Sequence, residues 1–248
     1  MQNHLLYHPL CKKIALNHLC FADDLLIFST GSGKYLLKIK DLLNEFYRFS
    51  VLKCILEKCE VYLGGECVQY KAVALVVSGF KEGSLPVRYL RLPLLSGKLR
   101  DSDCEVLLEK LTKKIISWRA KKMTYAGRIQ LVASVLMGVI QYWLQLFLFA
   151  KEFLRKLQKV CSDFLWHGEE SGRAKVVWER ISRPKKEGGL GVRDLFTWNR
   201  ACTDRMLWLL MMRSGALMVA WMLAYRCRGR DFWTMAVTDL VLGLGVEF

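Results

Sequence analysis

The first twenty residues, Met1 to Cys20, contain no aspartate and no glutamate. Any acid chemistry in this 248-residue chain must begin after them. The nine cysteines, at 11, 20, 54, 59, 67, 104, 161, 202 and 227, form no C-x-x-C and no paired framework. That scatter argues against a disulfide-stapled secreted domain and makes reduced thiols the expectation. No signal peptide is legible, so an intracellular location, the nucleus among the candidates, is expected. His4, His8, Cys11 and His18 have loosely ligand-like spacing but lack the paired pattern of a zinc finger. Gly188-Gly189-Leu190-Gly191 lacks the G-x-x-x-x-G-K-[ST] frame of a phosphate loop and reads as a tight turn. There is no internal repeat and no low-complexity tract. The length is enough to bury a core in one or two domains.

Charge is also missing from one long stretch. Residues 129–150 carry no Asp, Glu, Lys, Arg or Pro, and the run is long enough to span a bilayer. Gln130, Ser134, Gln141 and Gln145 interrupt it, and a lipid-facing helix would avoid them. Ile129, Val132, Leu136, Val139, Ile140 and Trp143 keep helical spacing, so a buried helix is the preferred reading and a single-pass membrane protein the alternative.

What is present in excess is positive charge. The formal net charge is +15, and it is unevenly spread. Residues 1–60 hold 8 Lys/Arg against 6 Asp/Glu, whereas residues 112–200 hold 18 against 7. A basic middle beside a near-neutral start suits a polyanion, and phosphate backbones are the commonest such partner. Lys113, Lys114, Arg119, Lys121, Lys122 and Arg128 cluster around Trp118. Lys151, Arg155, Lys156 and Lys159 recur at helical spacing. Such faces can track a duplex without reading its sequence. The eight tryptophans, at 118, 143, 166, 178, 198, 208, 221 and 233, read as core rather than base-stacking platforms.

The acids first appear at Phe21-Ala22-Asp23-Asp24, between the apolar arms His18-Leu19-Cys20 and Leu25-Leu26-Ile27-Phe28. Two apolar arms around a short polar break predict a β-hairpin with the carboxylates at its tip. Exposed Asp at a hairpin tip is a natural ligand for a hard cation such as Mg²⁺.

Further along come Ser50-Val51-Leu52-Lys53, Glu57 to Gly65, Ser84 to Leu94, Ile116-Ser117-Trp118 and Tyr125-Ala126-Gly127-Arg128. Phe164-Leu165-Trp166, Pro184 to Gly191 and Trp198-Asn199-Arg200-Ala201 follow. In order and spacing these segments, with the Asp-Asp hairpin, resemble the C-terminal half of the polymerase of plant LINE-type (non-LTR) retrotransposons. The similarity covers roughly residues 18–234. It implies RNA-directed DNA synthesis, with Mg²⁺ as cofactor and an RNA template and DNA primer as partners. It implies Asp23 as the metal-binding and catalytic acid and Asp24 as its weaker companion. Lys58 would be a proton donor near the incoming triphosphate. Tyr89 would lie in the primer-gripping turn, and Lys113, Lys114, Arg119, Lys121, Lys122, Arg128, Lys151 and Arg155 would contact nucleic acid.

The chain departs from that pattern in several places. Two-metal nucleotidyl transfer needs acids from a second strand, and the earlier Asp of the family would fall before Phe21, where no acid stands. Asp41, Glu45, Glu57 and Glu60 do not substitute for it, since they read as helix or strand surface. Arg91 follows Tyr89-Leu90 where Gly is usual, and Val51 replaces the Gly before Leu-Lys; Gly tolerates positive φ and these residues do not. Both departures read as drift in an unselected copy. The Cys/His-rich region that often follows in the family is not seen, and residues 235–248 match no motif. The chain is therefore expected to be a truncated remnant, inactive alone as a polymerase. A non-catalytic, basic, nucleic-acid-binding helical module is the alternative that needs only the second half.

The expected fold class is α+β, a partial palm over 1–98 followed by a mainly helical thumb and connector over 99–248. Ser32 should cap a helix over 34–49 with Tyr35, Ile39, Leu42, Leu43, Phe46 and Phe49 inward. Strands are predicted over 59–64 and 87–92, with strand signals stopping after Pro93, and a short helix over 69–78. Ser102 and Glu105 form a capping box opening a helix that turns Leu107, Leu108, Leu111, Ile115 and Trp118 inward. More helices are expected at 124–149, 151–166, 175–182, 194–213 and 216–226.

Overall fold

The computed structural model describes residues 7–30, 32–63, 71–84, 86–94, 99–119, 123–167 and 176–227. The class is α+β, mainly helical, with three two-stranded ladders among the described residues. Packing divides these residues into two units: 7–94 together with 215–227, and 99–214.

The first unit opens with strands β1 (His18–Phe21) and β2 (Asp24–Ile27). They pair antiparallel from His18 opposite Ile27 to Phe21 opposite Asp24, which leaves a two-residue turn of Ala22 and Asp23. Ala22 has φ 52°, the positive first position that lets a turn follow the twist of its strands. Helix α1 (Gly33–Ser50) supplies the floor. Leu36 and Ile39 are buried there, with Ile27 of β2, Leu43, Val61 and Leu63 packed against them. Of the expected inner face, Ile39 is buried and Tyr35, Leu42 and Leu43 are half-buried, and Leu36 joins them. Phe46 and Phe49 point outward, and Phe49 is 82% exposed. Ser32 stands at the N-cap position, but its hydroxyl makes no capping bond.

The expected strand over 59–64 is reduced to β3 (Glu60–Val61). It pairs parallel with β4 (Lys81–Glu82) across helix α2 (Lys71–Ser78). The expected strand over 87–92 is instead a hairpin, β5 (Val87–Tyr89) and β6 (Leu92–Leu94), with Tyr89 opposite Leu92. Pro93 lies inside β6, whose last residue is Leu94, and the next described element is helical, as expected. A two-stranded ladder has a free edge, where a proline's missing donor costs nothing. The turn is Leu90-Arg91, with φ 50° and 67°. Positive φ at both positions is the I′ geometry that favours Asn-Gly.

Helix α9 (Leu217–Met222) continues as a π turn, Leu223–Cys227. It docks on the N-terminal segment of the same unit. The Trp221 indole N–H donates to the Leu10 carbonyl at 2.8 Å, and the Lys13 backbone N–H donates to the Tyr225 hydroxyl at 2.6 Å. Lys13 Nζ also reaches the Ala224 carbonyl at 3.1 Å.

The second unit is helical. Helix α3 (Asp101–Arg119) starts one residue before the expected cap. The Cys104 N–H donates to the Arg100 carbonyl, and the Asp103 carboxylate accepts from the Arg100 N–H at 2.9 Å. That is the reach-back half of a capping box, with Asp103 rather than Glu105 at the third position. Leu107, Leu111 and Ile115 are buried along the helix. Trp118 meets Phe164 of α6 (Lys151–His167), with ring centroids 5.7 Å apart.

Residues 125–144 form one rod: α4 (Tyr125–Leu131), a π turn (Val132–Leu136) and α5 (Met137–Leu144). Val132, Leu136, Ile140 and Trp143 are buried, while Gln130, Ser134 and Gln145 face out. The rod stops five residues short of the expected end at 149. Among the described residues no helix is long and apolar enough to cross a membrane. Helix α6 turns Phe153, Leu154, Leu157, Phe164 and Leu165 inward, a gross burial on the order of 10 kcal/mol.

The chain closes through α7 (Trp178–Ile181) and α8 (Leu195–Met211). Asp194 caps α8 by accepting from the Thr197 N–H at 2.8 Å, and it also accepts from Gln158 of α6 at 3.1 Å. Between α7 and α8 the glycine segment is a tight turn, as expected. Gly188 has φ 80°, and a Cβ on Gly189 would sit 2.0 Å from the Arg183 carbonyl oxygen. The core reading of the tryptophans holds for Trp143 and Trp178, whereas Trp208 is 60% exposed. His4, Cys67 and Trp233 lie outside the described residues.

Candidate functional site

The acidic hairpin and the basic helix faces belong to different units. At the hairpin, the turn chemistry does the positioning. A two-residue turn after Phe21 puts Asp23 at the second turn position and Asp24 at the first residue of β2. Both carboxylates are exposed, and so are Phe21 and Leu25 beside them. Leu19, Leu26 and Phe28 are half-buried.

Tyr89 comes close to this tip. Its phenol is pushed up by burial, then by the Asp24 carboxylate and the Cys20 thiol. Tyr89, the last residue of β5, thus feels the charge of the acidic hairpin, an influence no local pattern in the sequence announces. Lys58 ends a short 3₁₀ turn, Leu56–Lys58, and is exposed. It is tied to the hairpin only indirectly: Val61, three residues on, and Ile27 of β2 pack on the same part of α1.

Two carboxylates are fewer than a two-metal centre needs. Among the described residues no three His, Cys, Asp or Glu side chains come together as a metal site. The residues present therefore do not fit a complete Mg²⁺ pair. A single hard cation at this tip would draw most of its ligands from water or substrate phosphates.

In the second unit, α6 has the more open basic face. Lys151, Arg155, Lys156 and Lys159 are exposed, opposite the buried Phe153-Leu154-Leu157 side. No ion pair among the described residues engages them. The first basic cluster is less uniform than its sequence suggests. Lys113 pairs with Glu109 on α3 at 3.4 Å, and Lys114 is half-buried. Arg128 is half-buried on α4, where burial pushes the Tyr125 phenol up and the Arg128 guanidinium pulls it back. Lys121 and Lys122 lie outside the described residues, as does the side chain of Arg119.

Two residues prove to be organisers: Asn199, which the sequence offered only as part of a motif, and Arg193, which it did not single out. Asn199 is buried on α8. Its side-chain oxygen accepts from the Phe149 N–H at 3.4 Å, and its amide donates to the Phe149 carbonyl at 3.2 Å. This pins the segment that leads into the basic face of α6. Arg193 lies over the Trp198 ring at 4.3 Å and donates to Gln141. Only periodicity around the buried polar position could have pointed to Asn199.

No family model matches the chain. Over 128 residues it is 30% identical to a protein of Arabidopsis thaliana provisionally named a ribonuclease H protein. The matched stretch covers 51% of this chain and 21% of that relative. The chain thus spans about a fifth of the length of the curated relative it matches.

Proposed function

We propose that this chain is a piece of the RNA-directed DNA polymerase of a LINE-type retrotransposon, with a remnant of the palm in the first unit and the thumb and early connector in the second. The observation that carries the reading is the two-residue turn that lifts Asp23 and Asp24 into solvent between two apolar strands. The influence of Asp24 on the Tyr89 phenol supports it, because a primer-gripping turn works beside the metal-binding acids. The open basic face of α6 supports a nucleic-acid backbone as partner, and so does a plant relative named for a ribonuclease. In this reading RNA template and DNA primer are the partners, and the working location is intracellular, with access to the nucleus. Asp23 and Asp24 hold Mg²⁺ weakly until a further acid joins them, so the chain alone extends no primer.

The test is a titration with Mn²⁺, a paramagnetic stand-in for Mg²⁺, in the presence of a template–primer duplex. Selective broadening of the amide resonances of residues 22–25, abolished in Asp23→Asn, is the expected result. Broadening spread evenly over surface acids, or unchanged in Asp23→Asn, overturns the metal-binding assignment of the hairpin.

A further inference from the structure

We propose that Cys54 and Cys59 are a redox-active pair that closes to an intramolecular disulfide around the turn carrying Lys58. The two sulfurs lie 3.2 Å apart. Closing by about 1.2 Å brings them to the ~2.05 Å of a disulfide bond. The local fold produces this approach. The Lys58 N–H donates to the Ile55 carbonyl at 2.9 Å, and the Cys59 N–H donates to the Leu56 carbonyl at 3.0 Å. These bonds wind the chain so that residues five apart meet. On the far side the Cys59 carbonyl accepts from the Lys81 N–H at 3.0 Å, so Cys59 is held at the mouth of the β3–β4 ladder. Both thiols are half-buried rather than sealed, and a small thiol reagent can reach them.

The chemistry balances with a glutathione-type disulfide as oxidant. Burial and the neighbouring Cys54 sulfur push the Cys59 thiol up to about 11, which leaves Cys54 to open the exchange. Cys54 attacks one sulfur of the oxidant, a mixed disulfide forms, and one glutathione leaves as thiol. Cys59 then attacks the Cys54 sulfur, and the second glutathione leaves. Two protein thiols and one oxidant disulfide become one protein disulfide and two glutathione thiols. The ring so closed contains Ile55, Leu56, Glu57 and Lys58, and it fixes Lys58 against β3. In a reducing compartment such a pair opens and closes with redox poise instead of serving as a permanent staple. The pair stands apart from the nucleic-acid reading, because it forms equally in a chain that binds no nucleic acid.

The experiment equilibrates the full chain in glutathione buffers of rising oxidised fraction and traps free thiols with N-ethylmaleimide. Digestion with trypsin and a Glu-specific protease separates Cys59 from Cys67, and the fragments are weighed. The expected product is Cys54-Ile55-Leu56-Glu57 bridged to Cys59-Glu60, two hydrogen masses lighter than the separate fragments. It should appear at a more reducing ratio than any other disulfide of the chain. Alkylation of both thiols while other cysteines oxidise, or a bridge from Cys54 to Cys67 in preference, overturns the assignment. In Cys59→Ser, Cys54 should accumulate as its glutathione adduct, because the resolving thiol is gone. An adduct level unchanged from the wild type overturns the pairing as well.

Discussion

Replacing Val51 with glycine should stabilise the first unit, which is unusual for a substitution that removes a hydrophobic side chain. Val51 is the residue just past α1, and its backbone is left-handed, with φ 61° and ψ 2°. Its N–H donates to the Tyr47 carbonyl at 2.8 Å, so the helix end depends on that conformation. For a residue with a Cβ the left-handed region costs about 1–2 kcal/mol, and for a β-branched one it is a genuine outlier. Little packing offsets this, since Val51 is 77% exposed. Glycine removes the steric cost and loses about 0.5–1 kcal/mol through the entropy of the unfolded chain. The net gain should be about 0.5–1 kcal/mol, which is a two- to five-fold rise in protection. Native-state hydrogen exchange of the α1 amides reads it directly, because these amides report the opening of their own unit. Val51→Ala is the control: it keeps the Cβ and should gain much less. Equal or lower protection in Val51→Gly would refute the claim that this helix end is strained.

Other consequences follow from the same geometry. Asn199→Ala should lower the stability of the second unit by about 2–4 kcal/mol, since the Phe149 N–H and carbonyl are left buried without their partner; urea denaturation with an unchanged m-value checks it. Gly189→Ala should destabilise the turn before α8, because the new methyl would collide with the Arg183 carbonyl group and Cβ, and thermal unfolding reads the loss. Cys161 is buried and its thiol is pushed up to about 12, so maleimide should label it only after unfolding, well after exposed Cys20. Hydrogen exchange should be fast across residues 18–63, where small ladders leave Phe21 61% exposed, and slow along α3, α5 and α6; equal protection would mean that the small Leu36-Ile39 core holds the first unit as firmly as the helical core holds the second.

Much of the site could be read from the chain because it depends on local chemistry. Apolar arms around Ala22-Asp23 admit little but a hairpin, and the i, i+4 recurrence of Lys151, Arg155 and Lys159 opposite Phe153, Leu154 and Leu157 fixes which side of α6 is wet. The two positions where the resembling family carries glycine, Val51 and Arg91, both adopt positive φ. At both positions glycine would suit the backbone better than the residue present. What the sequence hid lies in longer-range pairing. Strands of two or three residues such as β3 and β4 carry too short a pattern to register. The periodicity of α1 finds Ile39 and Leu43 but also admits Phe46 and Phe49, which are as apolar as Leu36; only packing against Ile27 and Val61 decides between them. The cap of α3 moved because Asp103, rather than Glu105, supplies the carboxylate that reaches back, and it reaches the Arg100 N–H. The return of 215–227 to the first unit rests on Trp221 and Tyr225 meeting Leu10 and Lys13, 211 and 212 residues away in sequence.

The central claim is that this chain grips a nucleic-acid backbone, and the salt dependence of duplex binding tests it most directly. Binding of the chain to labelled double-stranded DNA is measured from low to physiological salt and plotted as log affinity against log salt. The same series is run on the variant Lys151→Ala/Arg155→Ala/Lys159→Ala, whose changes are all on the exposed side of α6 and leave its core intact. Each phosphate contact contributes about 0.9 to the slope. The wild type should therefore fall steeply, and the variant should lose about two to three from the slope for every sequence tried. A flat wild-type response, or identical slopes for the two proteins, would contradict the account.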